Sequence, residues 1–311
     1  MSTHLPIETV LPDLIAALRE TGQAVLQAPP GAGKTTRVPL AMLDAGLVKG
    51  KIIMIVPRRL AARAAAERLA SQLGEPVGET VGYAMRGARK SGPNTRIEVV
   101  TEGILTRIIQ SDPELNGIGA VIFDEFHERS LNADLGLALC IECRAALRED
   151  LTLLVMSATL DAAPVAALLD NAPIITSEGR SFPVETRWLD TPLGPKARRT
   201  DALVDLVTRA AAETRKDSGG ILVFLPGEGE IKRTEALLRP QLPPDCVLAP
   251  LFGAMDFKAQ RAAIAPAATV ESASAPARHF NASLFMSYLL EVKPPFSFFR
   301  PSFGLADLLP T

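Results

Sequence analysis

The stretch APPGAGKTT, residues 28–36, follows the apolar run QAVLQ (23–27) and precedes a segment able to turn helical. It is poor in side chains and ends on one long cation. Gly31 and Gly33 lack a Cβ, so the backbone can bend tightly and its N–H groups can converge on something small and negative. The first N–H groups of a helix have no intrahelical partner and point outward at the positive end of its dipole. A strand, a glycine-rich turn and a helix start in that order make a cradle for phosphate. Pro30, Gly31, Ala32, Gly33, Lys34, Thr35 and Thr36 are the candidate nucleotide-binding residues, with Lys34 reaching the β and γ oxygens. The Thr35 hydroxyl is a candidate ligand for Mg²⁺. Two positions depart from the strict pattern. Ala28 stands where it begins with Gly, and is acceptable if φ stays negative. Pro39 falls five residues after Lys34, awkwardly inside the expected helix. The plainer alternative is a surface turn that carries Gly-Lys-Thr by chance.

Outward from this loop the chain alternates short apolar runs with longer helical patterns. AVLQ (24–27), IIMIV (52–56), IEVV (97–100), AVIF (120–123), LTLLVMS (151–157) and PIIT (173–176) read as strands. They are continuous rather than alternating, as in strands covered on both faces. LAARAAAERLASQL (60–73) and LNADLGLALCIECRAALRED (131–150) read as helices. The expectation is an α/β protein with a parallel sheet between helical layers. After the connector TPLGPKARRT (191–200) the alternation restarts with a helix, the strand in GGILVFLPG (219–227), a helix and VLAPLFG. The predicted divisions are residues 1–180, 181–265 and a tail, 266–311. The tail holds seven aromatic residues of the chain's fifteen, and KPPFSFFRPSF carries prolines that exclude helix and central strand. A poorly ordered tail is expected.

The 311 residues suffice for two domains with cores of their own. Formal net charge is −2, so nothing draws the whole chain to polyanions. Between Lys51 and Arg107, however, ten Lys/Arg face five Asp/Glu, which suits a polyanion at one surface. Three cysteines, in a chain able to build a core, point to a reducing compartment rather than a disulfide framework. Cys140 and Cys143 form a lone C-x-x-C within a helical pattern, which reads as a buried thiol pair before it reads as a zinc or redox site. No run of 18 apolar residues and no signal-like N-terminus occurs, so a cytoplasmic monomer without membrane contact is expected.

AVIFDEFHERS (120–130) ends an apolar strand on Asp124, Glu125, Phe126 and His127. In a parallel sheet the C-terminal strand ends open on the ligand crevice. A carboxylate there can hold a metal ion with its waters, and its neighbour can take a proton from an attacking water. Asp124 is therefore assigned to Mg²⁺ and Glu125 to water activation; His127, ordinarily structural as a lone histidine, is here a candidate relay toward whatever reads the γ-phosphate. By itself an Asp-Glu pair before a helix is as readily an N-terminal cap. Its distance of about 90 residues from a phosphate loop favours the catalytic reading.

Taken together, APPGAGKTT (28–36), PRRLAAR (57–63), TEG (101–103), DEFH (124–127) and SAT (157–159) resemble superfamily 2 helicases in order and spacing. DEFHERSLNADL resembles the HrpB family of bacterial DEAH-box ATP-dependent helicases, with Phe126 in place of the Ala of the name. FLPGEGEI (224–231) and PLFGAMDFKAQRAAIAP (250–266) resemble the opening of that family's second domain. The resemblance implies two RecA-like P-loop NTPase domains with parallel sheets, the second truncated. It implies ATP with Mg²⁺ bound at Thr35 and Asp124, catalysis by Asp124, Glu125 and His127, and coupling through Ser157, Ala158 and Thr159. It implies contacts from Arg58, Arg59 and Thr101 to a single strand of nucleic acid, RNA being the expected kind. Those three residues lie in the basic 51–107 segment.

The family's later A-T-x-I-A-E-T-S and Q-x-x-G-R-A-G-R patterns, the second supplying arginine fingers, do not occur in this sequence. After Pro266 the Phe-rich tail replaces the expected strand. Two function classes therefore stay open. One is an ATP-dependent helicase, the other a fragment that binds ATP and RNA without turnover. A P-loop kinase is a distant third, since DEFH and SAT argue against it.

Overall fold

The computed structural model describes residues 5–158, 162–179, 184–189, 193–194, 198–213, 220–242, 246–264 and 280–286. The chain divides into two compact units, Met1–Ser181 and Phe182–Thr311. The expected division lay at 180/181. Thr159 and the Pro/Phe-rich stretch KPPFSFFRPSF lie outside the described residues.

The first unit begins with a one-turn 3-10 helix, Pro6–Thr9, and then α1 (Leu11–Thr21), which Gly22 stops in the left-handed conformation. There follow β1 (Gln23–Gln27), α2 (Lys34–Asp44), β2 (Lys51–Ile55), α3 (Arg59–Gln72), β3 (Val81–Met85), β4 (Ala88–Lys90) and β5 (Ile97–Val100). Next come α4 (Glu102–Ser111), β6 (Ile118–Phe123), α5 (Leu131–Ala146), β7 (Thr152–Ser157), α6 (Ala163–Leu168) and β8 (Ile174–Thr176). The eight strands lie in the order β4-β3-β5-β2-β6-β7-β1-β8, parallel except for β3–β4.

Each central strand buries both faces, and alternate residues serve different helical layers. Leu26, Met54, Ile122 and Met156 join one core with Leu14 of α1, Met42 of α2 and Leu69 of α3. Their neighbours Val25, Ile53, Val121 and Val155 join another with Leu105 of α4, Leu137 of α5 and Val165 of α6. This explains the unbroken apolar runs: a strand covered twice has no polar face to show. Cys140 and Cys143 sit in the second core as free thiols, so the buried-thiol reading of C-x-x-C is the one the structure supports. α5 starts where Ser130 accepts a hydrogen bond from the Ala133 N–H, 3.0 Å away. α2 runs through Pro39 without ending; the ring removes only the bond to the Thr35 carbonyl.

The β3–β4 hairpin was not expected. Val81–Met85 is buried throughout, but Gly82 and Ala84 give a weak apolar run, and the three-residue partner is polar.

The second unit contains α7 (Arg199–Glu213), β9 (Gly220–Leu225), α8 (Glu228–Leu238), β10 (Cys246–Leu251), α9 (Phe257–Ile264) and β11 (Phe280–Met286). Its parallel sheet has the order β10-β11-β9 over a core that includes Val207, Val223, Ile231 and Leu238. The described residues 280–286 lie in the segment expected as a tail. Part of that segment is the middle strand of the sheet, with Ala282 in register between Leu248 and Ile221. The stretch KPPFSFFRPSF begins only at Lys293, and FNASLFM (280–286) before it has no proline. Among the described residues no helix is long and apolar enough to cross a membrane.

Candidate nucleotide and nucleic-acid site

The sheet order decides the site. β6, β7 and β1 are neighbours, so their C-terminal ends bring DEFH, Ser157-Ala158 and the glycine-rich loop side by side from distant parts of the chain. The register sets Gln27 beside Ser157 and Phe123 beside Val155. The loop leaves β1 with the Ala28 N–H donating to the Ser157 carbonyl, 3.0 Å away. Ala28 is not among the residues with positive φ, so alanine is sterically acceptable there. Gly31 and Gly33 take φ of 76° and 98°, the left-handed region that favours glycine. A Cβ on Gly33 would also lie 2.8 Å from Leu5 Cδ1. Pro30 and Ala32 complete the bend, and the Ile7 N–H donates to the Ala32 carbonyl, 3.1 Å away.

Lys34 and Thr35 open α2 and point to the acids. The Thr35 hydroxyl donates to Asp124 Oδ2 at 2.6 Å. Lys34 Nζ lies 3.1 Å from Glu125 Oε1, although Lys34 is only 4% exposed. Thr36 instead turns its hydroxyl back to the Gly33 carbonyl, 3.3 Å away. Asp124 is held by its own N–H donating to the Ile55 carbonyl and by the Glu125 N–H on Oδ1, 2.9 Å away. Burial pushes the Asp124 carboxyl up to about 6 and the neighbouring Glu125 adds to this, while Lys34 and the Thr35 hydrogen bond pull it down. One ammonium faces two carboxylates, so the pocket is short of positive charge.

That shortage, with a hydroxyl and a carboxylate oxygen 2.6 Å apart, fits a small hard cation that takes most of its ligands from water and substrate. Among the described residues no group of three or more His, Cys, Asp or Glu forms a protein metal cage. His127 Nδ1 accepts the Ala158 N–H at 3.3 Å and lies 3.4 Å from Glu125 Oε2. The tautomer of the neutral ring that accepts this bond is the one with its proton on Nε2. The histidine thereby ties the end of β6 to the end of β7.

Arg58 and Arg59 follow β2, and Thr101 follows β5. They share the C-terminal sheet edge with the loop but lie on its other stretch, since the order runs β5-β2-β6-β7-β1. Both arginines are exposed. Arg58 Nη2 is 3.4 Å from Glu128 Oε2, which joins this stretch to the segment after β6. The sequence reading missed Glu128, the packing of Phe126 and the seating of Leu5 and Ile7 against the loop. Glu128 stood in plain view in DEFHERS; the other two have no local sign.

An open parallel sheet with a glycine-rich loop after one strand and an acidic pair two strands away defines a RecA-like P-loop domain. The DEAD/DEAH box helicase family model matches residues 10–168, more than half of the chain, and the chain belongs to that family. It is 54% identical over 266 residues to the ATP-dependent RNA helicase HrpB of Escherichia coli K12, covering 85% of this chain and 32% of that protein. It is 34% identical over 258 residues to the ATP-dependent RNA helicase HrpA of Borreliella burgdorferi, covering 82% and 31%. The crystal structure of Escherichia coli DEAH/RHA helicase HrpB superposes with a TM-score of 0.79 at 51% identity, covering 91% of this chain and 34% of that one. The chain thus spans about a third of the length of these relatives.

Proposed function

We propose that the chain binds ATP at the loop after β1, hydrolyses it, and couples hydrolysis to movement along single-stranded RNA. The Thr35–Asp124 hydrogen bond of 2.6 Å carries this reading, because it joins the phosphate loop to the acids that would work on the phosphate. Phosphate oxygens entering the loop take the Lys34 ammonium from Glu125, which frees that carboxylate. Glu125 then accepts a proton from water as its oxygen attacks the γ-phosphorus. The bond from γ-phosphorus to the bridging oxygen breaks, leaving ADP and inorganic phosphate. Thr35 and Asp124 would hold the Mg²⁺ that offsets charge on the phosphates. His127 reports the state of Glu125 to Ala158, beside the Ser157 and Thr159 assigned to coupling. Arg58, Arg59 and Thr101 grip the RNA backbone, and the second unit is the start of a second RecA-like domain. The names of the relatives support ATP and RNA as partners.

A second reading, binding without turnover, is favoured by the Lys34–Glu125 ion pair of 3.1 Å, which holds the assigned base against a cation. Calorimetry with MgATP and steady-state hydrolysis with and without RNA decide between them. The expected result is MgATP uptake, RNA-stimulated turnover, and a kcat about 10²–10⁴ lower in Glu125→Gln at little change in KM. Uptake with no hydrolysis selects the second reading, and no uptake overturns both.

A further inference from the structure

The turn after β6 carries the catalytic acid and the histidine, yet its backbone is unfavourable. Glu125 has φ 52° and ψ 36°, and Arg129 has φ 44° and ψ 83°. Both are left-handed conformations that non-glycine residues seldom adopt. Such conformations persist only where the surroundings hold them. Within the 3-10 turn Phe126–Glu128, Phe126 is the buried side chain. Its ring meets Phe123 edge-on, with centroids 6.1 Å apart and planes at 83°. Arg129 Cζ lies 5.7 Å from the centre of the same ring, and Arg129 is fixed in turn by Asp134 of α5 at 3.1 Å. The ring also forms part of an open apolar groove with Leu137 of α5 and Val165 and Leu168 of α6.

The residues on either side of Phe126 make the two functional links of this turn, Glu125 to Lys34 and His127 to the Ala158 N–H. We propose that Phe126 is a positioning residue for hydrolysis: its ring, clamped by Phe123 and Arg129, holds the turn in the conformation that presents Glu125 and His127. The proposal rests on the hydrolytic reading above. It gives the aromatic, where the family name has Ala, a task in this chain. Truncating the ring removes the anchor but touches neither phosphate loop nor acids, so substrate affinity stays while the chemical step slows.

The test uses the full chain and the variants Phe126→Ala, Phe126→Val and Phe126→Leu. RNA-stimulated kcat and KM are measured, with the ¹⁵N shift of His127 Nδ1 at alkaline pH as a reading independent of turnover. A displacement on the order of 1 Å at a reacting group costs about 10²-fold, so Phe126→Ala is expected to lose roughly 10- to 100-fold in kcat with KM within about threefold. Phe126→Leu is expected to recover most of the rate, and the Nδ1 shift in Phe126→Ala to move toward that of a nitrogen without a donor. If Phe126→Ala does not fold, Phe126→Val is read in its place, with a smaller loss of kcat expected. Folded variants with kcat within twofold of the parent and an unmoved Nδ1 shift overturn the proposal. If the parent chain itself hydrolyses nothing, the hydrolytic reading fails, and the Nδ1 shift alone still decides whether the ring holds His127 in place.

Discussion

Gly33 is where steric chemistry and the phosphate loop meet most directly. Its φ of 98° suits a residue without a side chain, and the space a Cβ would fill is taken by Leu5 and Ile7. An L residue in the left-handed region costs roughly 1–2 kcal/mol before any clash. Gly33→Ala therefore raises the dissociation constant for MgATP about tenfold or more, since 1.4 kcal/mol is a factor of ten. Titration calorimetry reads this, and an unchanged affinity would show that the loop tolerates a different backbone path. Lys34 illustrates another residue-scale balance. A nearly buried ammonium is tolerable because a carboxylate stands 3.1 Å away, and the same carboxylate is the assigned base. Under the proposed reading, the pairing that keeps the lysine in place would also keep the base occupied until phosphate competes for the lysine.

Helix α5 shows what an element can hide. Cys140 lies wholly inside the second core, and burial pushes its thiol up to about 12, with Cys143 adding to the rise. The folded value lies above the ordinary 9.0, so the neutral thiol contributes stability fully below pH 9. That contribution is lost as pH rises from there to about 12, at up to about 1.4 kcal/mol per unit. Alkaline unfolding of the parent is thus steeper over that window than that of Cys140→Ala, as followed by circular dichroism; parallel curves would contradict the burial. α5 was legible as a helix because its apolar residues recur along its length. β1, β2, β5, β6 and β7 were legible because each faces two helical layers. The β3–β4 hairpin was not, because Gly82 and Ala84 thin its apolar run and its burial comes from the distant residues of α3 rather than from its own polar second half. The site divides the same way. Lys34, Thr35, Asp124 and Glu125 were readable from local chemistry, while the clamp on Phe126 and the seat of Ile7 under the loop depend on distant partners. At the end of β2, Arg58 is both exposed and within 3.4 Å of Glu128. If it grips a phosphate, Arg58→Ala weakens RNA binding evenly across sequences and lowers the slope of log affinity against log salt by about 0.7. Fluorescence anisotropy over a salt series measures this, and an unchanged slope would remove Arg58 from the RNA contact.

At the scale of the molecule, the first unit has what a self-sufficient domain requires. Its sheet is covered on both faces by cores drawn from its own helices, and a chain of about this size buries roughly 70% of its unfolded surface. The loop, both acids, Ser157, Arg58, Arg59 and Thr101 all belong to it. Under the proposed reading, affinity for MgATP is then a property of this unit by itself, whereas turnover needs the second RecA-like wall. A chain cut to residues 1–181 is expected to fold cooperatively and to bind MgATP within about threefold of the full chain, a difference below 1 kcal/mol. It is expected to lose RNA-stimulated hydrolysis. Thermal melting, calorimetry and steady-state hydrolysis on the two lengths separate these outcomes. Loss of MgATP binding in the shorter chain would mean that residues beyond Ser181 complete the nucleotide site. Equal hydrolysis by both lengths would mean that the acids after β6 need nothing outside their own sheet, and the second unit would then have to be explained by something other than catalysis.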